Sequence, residues 1–550
     1  MITHRTRAAI WASVVCLAVA ASISGITNGF AFDDVHIIVS DNRTHSLAHW
    51  WNLFAQSYWP VSKGGDLYRP ITMLGFAIQW AIGGGSPLAF HVVSILLYAL
   101  VCAAFLGILL ELLPANSAWL GAALFAVHPL HVEVVANVVG QAELLAALFM
   151  FLALLVFIRA RRRGGLTLRD TGVIVLLYVA GCLSKEHALV LPLLLIAAEV
   201  TVVASETPIR ARLAAIRPLI LLLGVVGLGI LWIRIRVLGP SVAAPDEANA
   251  LFLGQPYAVR AMTMLRVVLE WLRLFFWPAH LSADYSPRTI EMVTRPNVEI
   301  LASAAIVAGL GGLAWLARRA VPVATFAFLW TAVALLIPSN LLVSTGFVLA
   351  ERTLFVASGG VMLAVAAAVA YFTSGATLSP VARKTVVATV GVVLLLGVVA
   401  SGLRQRVWRD DNTLFAQTVE DSPLSYQAHM AYATALFTQK RRKEAFDQIG
   451  IAHALFPKDL GVLEYAAEQY SEVEGCQAAV GLFSHVLAED PKRAESRVGL
   501  VRCLIAMGRY AEARKIIRQG LATGESLSAY QRLMVVNDSV ETASRSRAGN

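Results

Sequence analysis

Residues 8–38 read AAIWASVVCLAVAASISGITNGFAFDDVHII, and this stretch decides the fold. The apolar run 8–29 is long enough to cross a bilayer, which takes about 20 residues. Asp33 and Asp34 follow it, with apolar residues on both sides. Adjacent carboxylates at a membrane face are costly, and their mutual repulsion raises one pKa toward the range of a general acid or base. Alone, such a pair is more often a polar stop after a helix, so its interpretation depends on the rest of the chain.

The composition is that of an integral membrane protein. Of the 550 residues, 57% are hydrophobic and 15% are charged, whereas an ordinary soluble domain is about 25% charged. The net charge of +9 comes mostly from arginines in short loops, a pattern that sets membrane orientation and does not indicate a nucleic-acid partner. The chain also lacks a phosphate-binding glycine loop, which argues against a soluble nucleotide as donor.

Eleven apolar runs predict membrane-spanning helices. They lie near 8–29, 88–110, 117–136, 141–158, 170–184, 188–204, 217–238, 298–317, 321–337, 353–373 and 384–402. We interpret the first as a retained signal anchor, with Arg5 and Arg7 holding the N-terminus in the cytoplasm. The basic clusters then all fall on the cytoplasmic side: 159–163 with Arg169; Arg210, Arg212 and Arg217; Arg318 and Arg319; Arg383 and Lys384.

The segment 262–278 would break this agreement if it crossed the membrane. Arg266, Glu270 and Arg273 recur at spacings of four and three residues, so they share one face of a helix. Trp271 and neighbouring aromatic residues enrich the remainder. The pattern predicts an amphipathic helix in the outer interface or a re-entrant element.

The predicted fold class is therefore all-α. Residues 1–403 form a polytopic membrane domain of about eleven transmembrane helices, with large outer loops at 30–87 and 239–297. Residues 404–550 form a second domain on the side opposite the N-terminus. The aromatic residues of the first outer loop indicate a short interfacial helix with rings at headgroup level.

The second domain carries an internal repeat. Alanines recur every 34 residues, at Ala445, Ala479 and Ala513, and Pro457 and Pro491 have the same separation. This is the period of tetratricopeptide repeats, which are helix–turn–helix units with small residues where the helices cross. The array predicts a helical solenoid whose concave surface binds a peptide or another protein; a structural cap without a ligand is the alternative.

Two of the five cysteines, Cys476 and Cys503, lie in this second domain. They can pair if the domain faces an oxidising compartment. No cysteine pair has the CxxC spacing of a zinc site or a redox motif.

The remaining ionisable clusters all fall on the outer side of the predicted topology. Each has an ordinary structural interpretation, such as a satisfied histidine, a helix cap or a surface ion pair. Their convergence on one face instead indicates a site at the membrane boundary. They are His128, His131 and Glu133; Glu143; Lys185 and Glu186; Arg234 and Arg236; Asp284 and Tyr285; Glu351 and Arg352.

Acids beside arginines near lipid headgroups suit a substrate that carries a phosphate on a lipid. The cations stabilise the phosphate as it leaves, and a carboxylate takes the proton from an attacking hydroxyl. Paired acids near histidines could also hold a divalent metal, Mg or Mn, although an HxxH spacing alone is a weak metal signal.

In this order, the motifs resemble a known family. The acid pair after the first span resembles the GT-C superfamily of polyprenyl-phosphate-sugar glycosyltransferases. With the repeat tail, the chain is similar to the transmembrane and tetratricopeptide-repeat O-mannosyltransferases and their bacterial relatives. The motifs are FAFDDVHI, YRPIT, FAVHPLHVEVV, GQAELL, CLSKEHALVLP, PAHLSADYS and LAERTLF.

The resemblance implies an inverting transferase that moves a sugar, mannose in the animal members, from a polyprenyl phosphate to serine or threonine hydroxyls. Asp33 would be the general base and Asp34 its support or a ligand. Candidates for the lipid phosphate are Arg69, Lys185, Arg234 and Arg352. Candidates for the sugar or acceptor site are His128, His131, Glu133, Glu186, Asp284 and Tyr285. Gln141 departs from the family pattern, which has arginine there.

The expected location is the bacterial cytoplasmic membrane, with the N-terminus in the cytoplasm and the repeats in the periplasm. The expected partners are the lipid-linked sugar, an acceptor protein or peptide, and membrane lipids. Two alternatives stay open at this stage: the same fold acting on lipid A or another envelope glycan, and a non-enzymatic membrane-anchored repeat scaffold.

Overall fold

A computed structural model describes residues 4–60, 65–203, 207–239, 252, 255–286, 288–342, 345, 347–374, 379–457, 459–523 and 527–548. These residues form helices and no β-strand, which confirms the all-α class. The chain divides into two compact units, one of residues 1–286 with 290–422 and one of 287–289 with 423–550.

The first unit contains fifteen α-helices within the residues described. They are α1 (His4–Ser22), α2 (Pro70–Gly83), α3 (Pro87–Leu112), α4 (Ala115–Ala126), α5 (Val132–Ala136), α6 (Gln141–Arg162), α7 (Leu168–Ser184), α8 (Leu191–Thr201), α9 (Ile209–Leu238), α10 (Tyr257–Phe276), α11 (Val298–Ala317), α12 (Pro322–Ala334), α13 (Phe355–Thr373), α14 (Pro380–Val407) and α15 (Asp411–Asp421). The predicted domain boundary at residue 404 lies inside α14.

Among the described residues, seven helices are long and apolar enough to cross a membrane, namely α1, α3, α6, α9, α11, α13 and α14. The pair α4 and α5 would add an eighth crossing, bent by 51°. The other three predicted spans fall on α7, α8 and α12, which have 17, 11 and 13 residues. The count of eleven is higher because α8 and α12 are shorter than the apolar runs 188–204 and 321–337 that contain them, and α7, which covers its run 170–184, has only 17 residues.

Ion pairs at both ends of α6 show how the short helices run. Glu143, near the start of α6, contacts Lys185, which follows α7. Arg161, at the end of α6, contacts Glu199 near the end of α8 at 2.8 Å. Because α7 arrives at one end of α6 and α8 returns to the other, both connect the same two ends as α6 despite their length.

Helix α10 covers most of the segment assigned to the interface. It is not among the helices that qualify as spans, in agreement with the prediction. Trp271 and Phe275 are buried, whereas Phe276 and Trp277 are exposed. Glu270 and Arg273 pair along its polar face at 2.7 Å.

The second unit is a stack of helix pairs. Its helices are α16 (Tyr426–Thr438), α17 (Arg442–Leu455), α18 (Leu460–Val473), α19 (Cys476–Glu489), α20 (Ala494–Ala506), α21 (Tyr510–Thr523) and α22 (Leu527–Ala548). The three repeat alanines lie in α17, α19 and α21, and each is 0% exposed. The repeat prediction is therefore confirmed, and a disulfide between Cys476 and Cys503 links α19 to α20.

One glycine in this array marks a close helix contact. A Cβ atom at Gly499 in α20 would lie 2.5 Å from the buried ring of Phe483, whereas one at Gly450 in α17 would have no atom within 4 Å. Gly499→Ala should therefore destabilise the repeats by about 1–3 kcal/mol through overpacking. The control Gly450→Ala should stabilise them by up to about 1 kcal/mol, because alanine favours helix. Thermal unfolding of the purified protein would measure both changes, and equal effects would contradict the contact.

Candidate active site

A strained residue presents the acid pair. Phe32 has φ of +59°, a conformation that is unusual for an aromatic residue. Its amide donates to Asp411 Oδ1 at 2.6 Å, and its ring makes edge contacts with Trp408 and Phe415. A π-helical turn, Val35–Val39, follows the pair directly. Such turns are frequent at functional sites, and strain of this kind persists only where surrounding contacts impose it.

The junction between α14 and α15 supplies those contacts. Asn28 donates from Nδ2 to the carbonyl oxygen of Gln405 at 2.8 Å. The amide of Gly29 donates to the carbonyl oxygen of Arg409 at 2.8 Å. Residues 28–32 are thus fixed along their length by the last span and the start of α15.

Asp34 is an anchor inside the protein. Its side chain is completely buried, and its oxygens Oδ1 and Oδ2 accept from the amides of Val139 at 2.8 Å and Val138 at 3.1 Å. Burial raises the pKa of Asp34 to about 8, although the two amides act in the opposite direction. The group therefore joins the first loop to the segment before α6.

Asp33 has a different environment from its neighbour. Its side chain is 18% exposed, and Oδ2 lies 3.8 Å from Nη1 of Arg352. Burial raises the pKa of Asp33, while the nearby positive charges, Arg352 foremost, lower it. Of the two carboxylates, Asp33 is the one that a substrate can reach.

Glu133 holds Arg352 beside this carboxylate. Glu133 Oε1 accepts from Arg352 Nη1 at 2.8 Å, and Oε2 accepts from the Arg352 backbone amide at 2.8 Å. Glu133 is 2% exposed. A buried carboxylate with two partners on one residue fixes both the backbone and the head group of that arginine.

Two further ion pairs complete the arrangement. Arg69 donates from Nη2 and Nε to Glu186, at 2.6 and 3.1 Å. Burial alone would raise the pKa of Glu186, but Arg69 holds it well below its usual range. Lys185 donates to the buried Glu143. We call these side chains the acid-pair cluster: Asp33, Asp34, Arg69, Glu133, Glu143, Lys185, Glu186 and Arg352.

The two predicted histidines have structural partners. His131 lies between the hydroxyls of Tyr98 and Ser358, at 3.0 and 2.8 Å. His128 contacts the carbonyl oxygen of Phe275 from Nε2 at 3.0 Å and accepts from the Leu130 amide at Nδ1. All four ring nitrogens are engaged. No group of three or more His, Cys, Asp or Glu side chains in the described part of the chain is placed to hold a metal ion, so we derive no step through a metal.

The remaining predicted residues are Tyr285, Asp284 and Arg234. Tyr285 donates from its hydroxyl to Glu351 Oε1 at 2.7 Å, which supports the turn that carries Arg352. Asp284 accepts from the amide of Ser286 at 2.8 Å, as in a local turn. Arg234 lies near the end of α9, and its buried Nε has no partner within the described ranges.

Three residues that support the site were not predicted from the sequence. Tyr58 lies beneath the guanidinium of Arg69, with 4.9 Å between Cζ and the ring centre. His187 Nδ1 is 3.4 Å from Glu143 Oε2, and its place in the SKEHALVLP motif was an available signal. Asp411 carries no local signal at all, because its partner Phe32 is remote in sequence.

Gln141, at the position where the resemblance implied arginine, makes only uncharged hydrogen bonds. Its amide nitrogen donates to Gln79 Oε1 at 2.9 Å and to Ser94 Oγ at 3.1 Å, and Gln79 donates back to Gln141 Oε1 at 2.8 Å. The side chain therefore ties the start of α6 to α2 and α3 and leaves no charge there.

Comparisons with known proteins agree with both units. Residues 477–535 match a tetratricopeptide repeat family model. Protein O-mannosyl-transferase TMTC3 of Mus musculus is 25% identical over 506 residues, covering 86% of this chain and 54% of the relative. Protein O-mannosyl-transferase TMTC4 of Mus musculus is 28% identical, covering 73% and 60%. Protein O-mannosyl-transferase Tmtc2 of Drosophila melanogaster is 31% identical, covering 52% and 31%.

These relatives confirm the resemblance that the motifs indicated. The similarity to transmembrane and tetratricopeptide-repeat O-mannosyltransferases extends over most of the chain. The chain itself spans about half the length of the first two relatives, the TMTC3 proteins of mouse and human.

The two aspartates should respond differently to truncation. Asp34→Ala leaves two buried backbone amides without an acceptor, so we expect a loss of about 2–4 kcal/mol of unfolding free energy. Asp33→Ala should cost less than about 1 kcal/mol, since Asp33 is partly exposed and its nearest cation lies at 3.8 Å. Thermal unfolding in detergent would compare them. Equal losses would refute the anchoring role of Asp34.

Proposed function

We propose that the protein is an inverting glycosyltransferase that moves a hexose, mannose by analogy with its relatives, from a polyprenyl phosphate to serine or threonine hydroxyls. The observation that carries the proposal is the contrast within the acid pair. Asp34 is buried and engaged on both oxygens, whereas Asp33 is accessible beside Arg352. A reachable carboxylate with a rigid support is what a general base needs.

The reaction follows from this geometry. Asp33 takes the proton from the acceptor hydroxyl, and the hydroxyl oxygen attacks the anomeric carbon of the sugar. The bond from that carbon to the phosphate oxygen breaks, and the phosphate leaves with the electron pair. Attack from the face opposite the leaving group inverts the anomeric configuration.

The cations of the acid-pair cluster stabilise the leaving phosphate. Arg69 uses Nε and Nη2 for Glu186, which leaves Nη1 for an anion. Lys185 uses one hydrogen-bond donor for Glu143 and has others. Because their carboxylate partners hold them before the substrate arrives, these groups need little reorganisation when charge develops on the phosphate.

The second unit suits a role with the acceptor protein, because tetratricopeptide arrays present surfaces that bind peptides. The disulfide between Cys476 and Cys503 favours an oxidising compartment, since such bonds persist outside the cytoplasm. Together with the arginine-rich loops, it supports a bacterial cytoplasmic membrane location with the repeats in the periplasm.

The decisive experiment replaces the base without changing its shape. Membranes containing Asp33→Asn should lose transfer of labelled mannose from polyprenyl-phosphate mannose by at least about 100-fold, because general base catalysis contributes that much. Expression and thermal stability should match the wild type. Asp170→Asn, which alters the capping-box partner of Thr167 at the start of α7, serves as the control with unchanged transfer.

Unchanged transfer by Asp33→Asn would remove Asp33 from the role of base. Mass spectrometry of the products identifies the acceptor. Sugar on serine or threonine of proteins supports the proposal, whereas sugar only on lipid A or an envelope glycan contradicts the proposed acceptor.

The pH dependence of transfer provides a separate test. Asp33 must be ionised to accept a proton, and burial raises its pKa above the ordinary aspartate value. As the pH falls, kcat/KM should therefore decline at a midpoint above about 4, the range of an exposed aspartate. A profile that stays flat from neutral pH down to that range would contradict a base whose pKa is raised. Protein stability is measured at each pH as the control.

A further inference from the structure

Two buried side chains near the acid pair have polar atoms without partners. Within the part of the chain that the structure describes, the Tyr58 hydroxyl and both side-chain amide atoms of Asn137 make no hydrogen bond. Tyr58 is 2% exposed and Asn137 is 0% exposed. Burying such groups unsatisfied costs free energy, and native proteins seldom leave them so without a reason.

Tyr58 is held in place by its backbone and ring. The backbone amide of Tyr58 donates to the Leu67 carbonyl oxygen at 2.7 Å, and the Tyr58 ring lies under the guanidinium of Arg69. Burial raises the pKa of the Tyr58 hydroxyl; Arg69 opposes this effect, while Asp33 and Asp34 add to it. The hydroxyl is therefore protonated and lies within electrostatic reach of the acid pair.

The backbone on both sides of the Asn137 side chain is held by hydrogen bonds. The backbone amide of Asn137 donates to the Glu133 carbonyl oxygen at 3.3 Å. The next residue, Val138, donates its amide to Asp34 Oδ2 at 3.1 Å. The backbone thus places this residue between two members of the acid-pair cluster.

The Tyr58 hydroxyl and the Asn137 carboxamide are both uncharged, and each has a hydrogen-bond donor and an acceptor. A hydroxyl and a carboxamide each donate and accept hydrogen bonds, as sugar hydroxyls do. The cations Arg69, Lys185 and Arg352 match a phosphate instead. We propose that Tyr58 and Asn137 form the subsite that recognises hydroxyls of the transferred sugar, an inference that rests on the proposed function.

Tyr58→Phe removes only the orphan hydroxyl. Because no protein hydrogen bond is lost, the ligand-free variant should unfold at the same temperature as the wild type or higher. Its affinity for polyprenyl-phosphate mannose should fall roughly three- to tenfold, the effect of one hydrogen bond. Its affinity for the same polyprenyl phosphate without sugar should not change. Ligand-dependent shifts of Tm in detergent measure all three quantities.

Tyr98→Phe is the matched control. Tyr98 is also 2% exposed, but its hydroxyl contacts the carbonyl oxygens of Phe125 and Ala126 and Nδ1 of His131, each at 3.0 Å. This variant should lower the Tm of the ligand-free protein and leave both affinities unchanged. Asn137→Leu is a second test variant with similar volume, and it should follow the pattern of Tyr58→Phe.

The outcomes distinguish a failure of the sugar subsite from a failure of the proposed function. Equal loss of affinity for both lipids would place Tyr58 at the phosphate and overturn the sugar subsite. Unchanged affinity for the mannose lipid in both test variants, or a Tm loss in Tyr58→Phe as large as in Tyr98→Phe, would overturn it as well. A wild type that binds neither lipid would refute the proposed donor and the subsite together.

Discussion

The Asp34 side chain is completely buried, and a buried carboxyl group needs hydrogen-bond partners within the protein. It finds them in the amides of Val138 and Val139, 104 and 105 residues further along the chain. This contact fixes the first loop against the start of α6. Asp33, the preceding residue, is then held beside Arg352, and the beginning of α6 brings Glu143 to Lys185. This one junction therefore connects the segment of Asp33 to the segment of Glu143 within the acid-pair cluster.

Each cation of the acid-pair cluster is paired with a carboxylate. A buried ion pair often contributes little to stability, because the loss of hydration offsets the attraction between the charges. We therefore infer that the three pairs around Asp33 serve to position their cations and contribute little to stability. Each guanidinium or ammonium is held in place by its own carboxylate, and Asp33, with Arg352 at 3.8 Å, is the least tightly held acid. The least constrained carboxylate of the cluster is therefore the one at which the proposed proton transfer occurs.

Much of this arrangement was predictable from the sequence. The arginine-rich loops assign sides to the helix ends, so Asp33, Glu133 and Lys185 had to share a face, and the 34-residue period identified the repeats. The division of labour between Asp33 and Asp34 was not predictable, since amides over a hundred residues away create it.

Other features were also hidden from the sequence. The partner of each cation, the unsatisfied hydroxyl of Tyr58 and the role of Asp411 depend on tertiary contacts between distant segments. The lengths of α8 and α12 were obscured because the hydropathy of a run does not reveal where its backbone leaves the helix.

The bond from Phe32 to Asp411 joins residues separated by 379 positions. A ribosome adds roughly 5–20 residues per second, so on the order of 20–80 s pass between the synthesis of the two partners. During that interval the left-handed backbone before the acid pair lacks the acceptor that holds it. A nascent copy therefore cannot assemble its final site until the last span and α15 have been made. The geometry that holds Asp33 in the proposed site is therefore completed only near the end of synthesis, when the segment that carries Asp411 has been made.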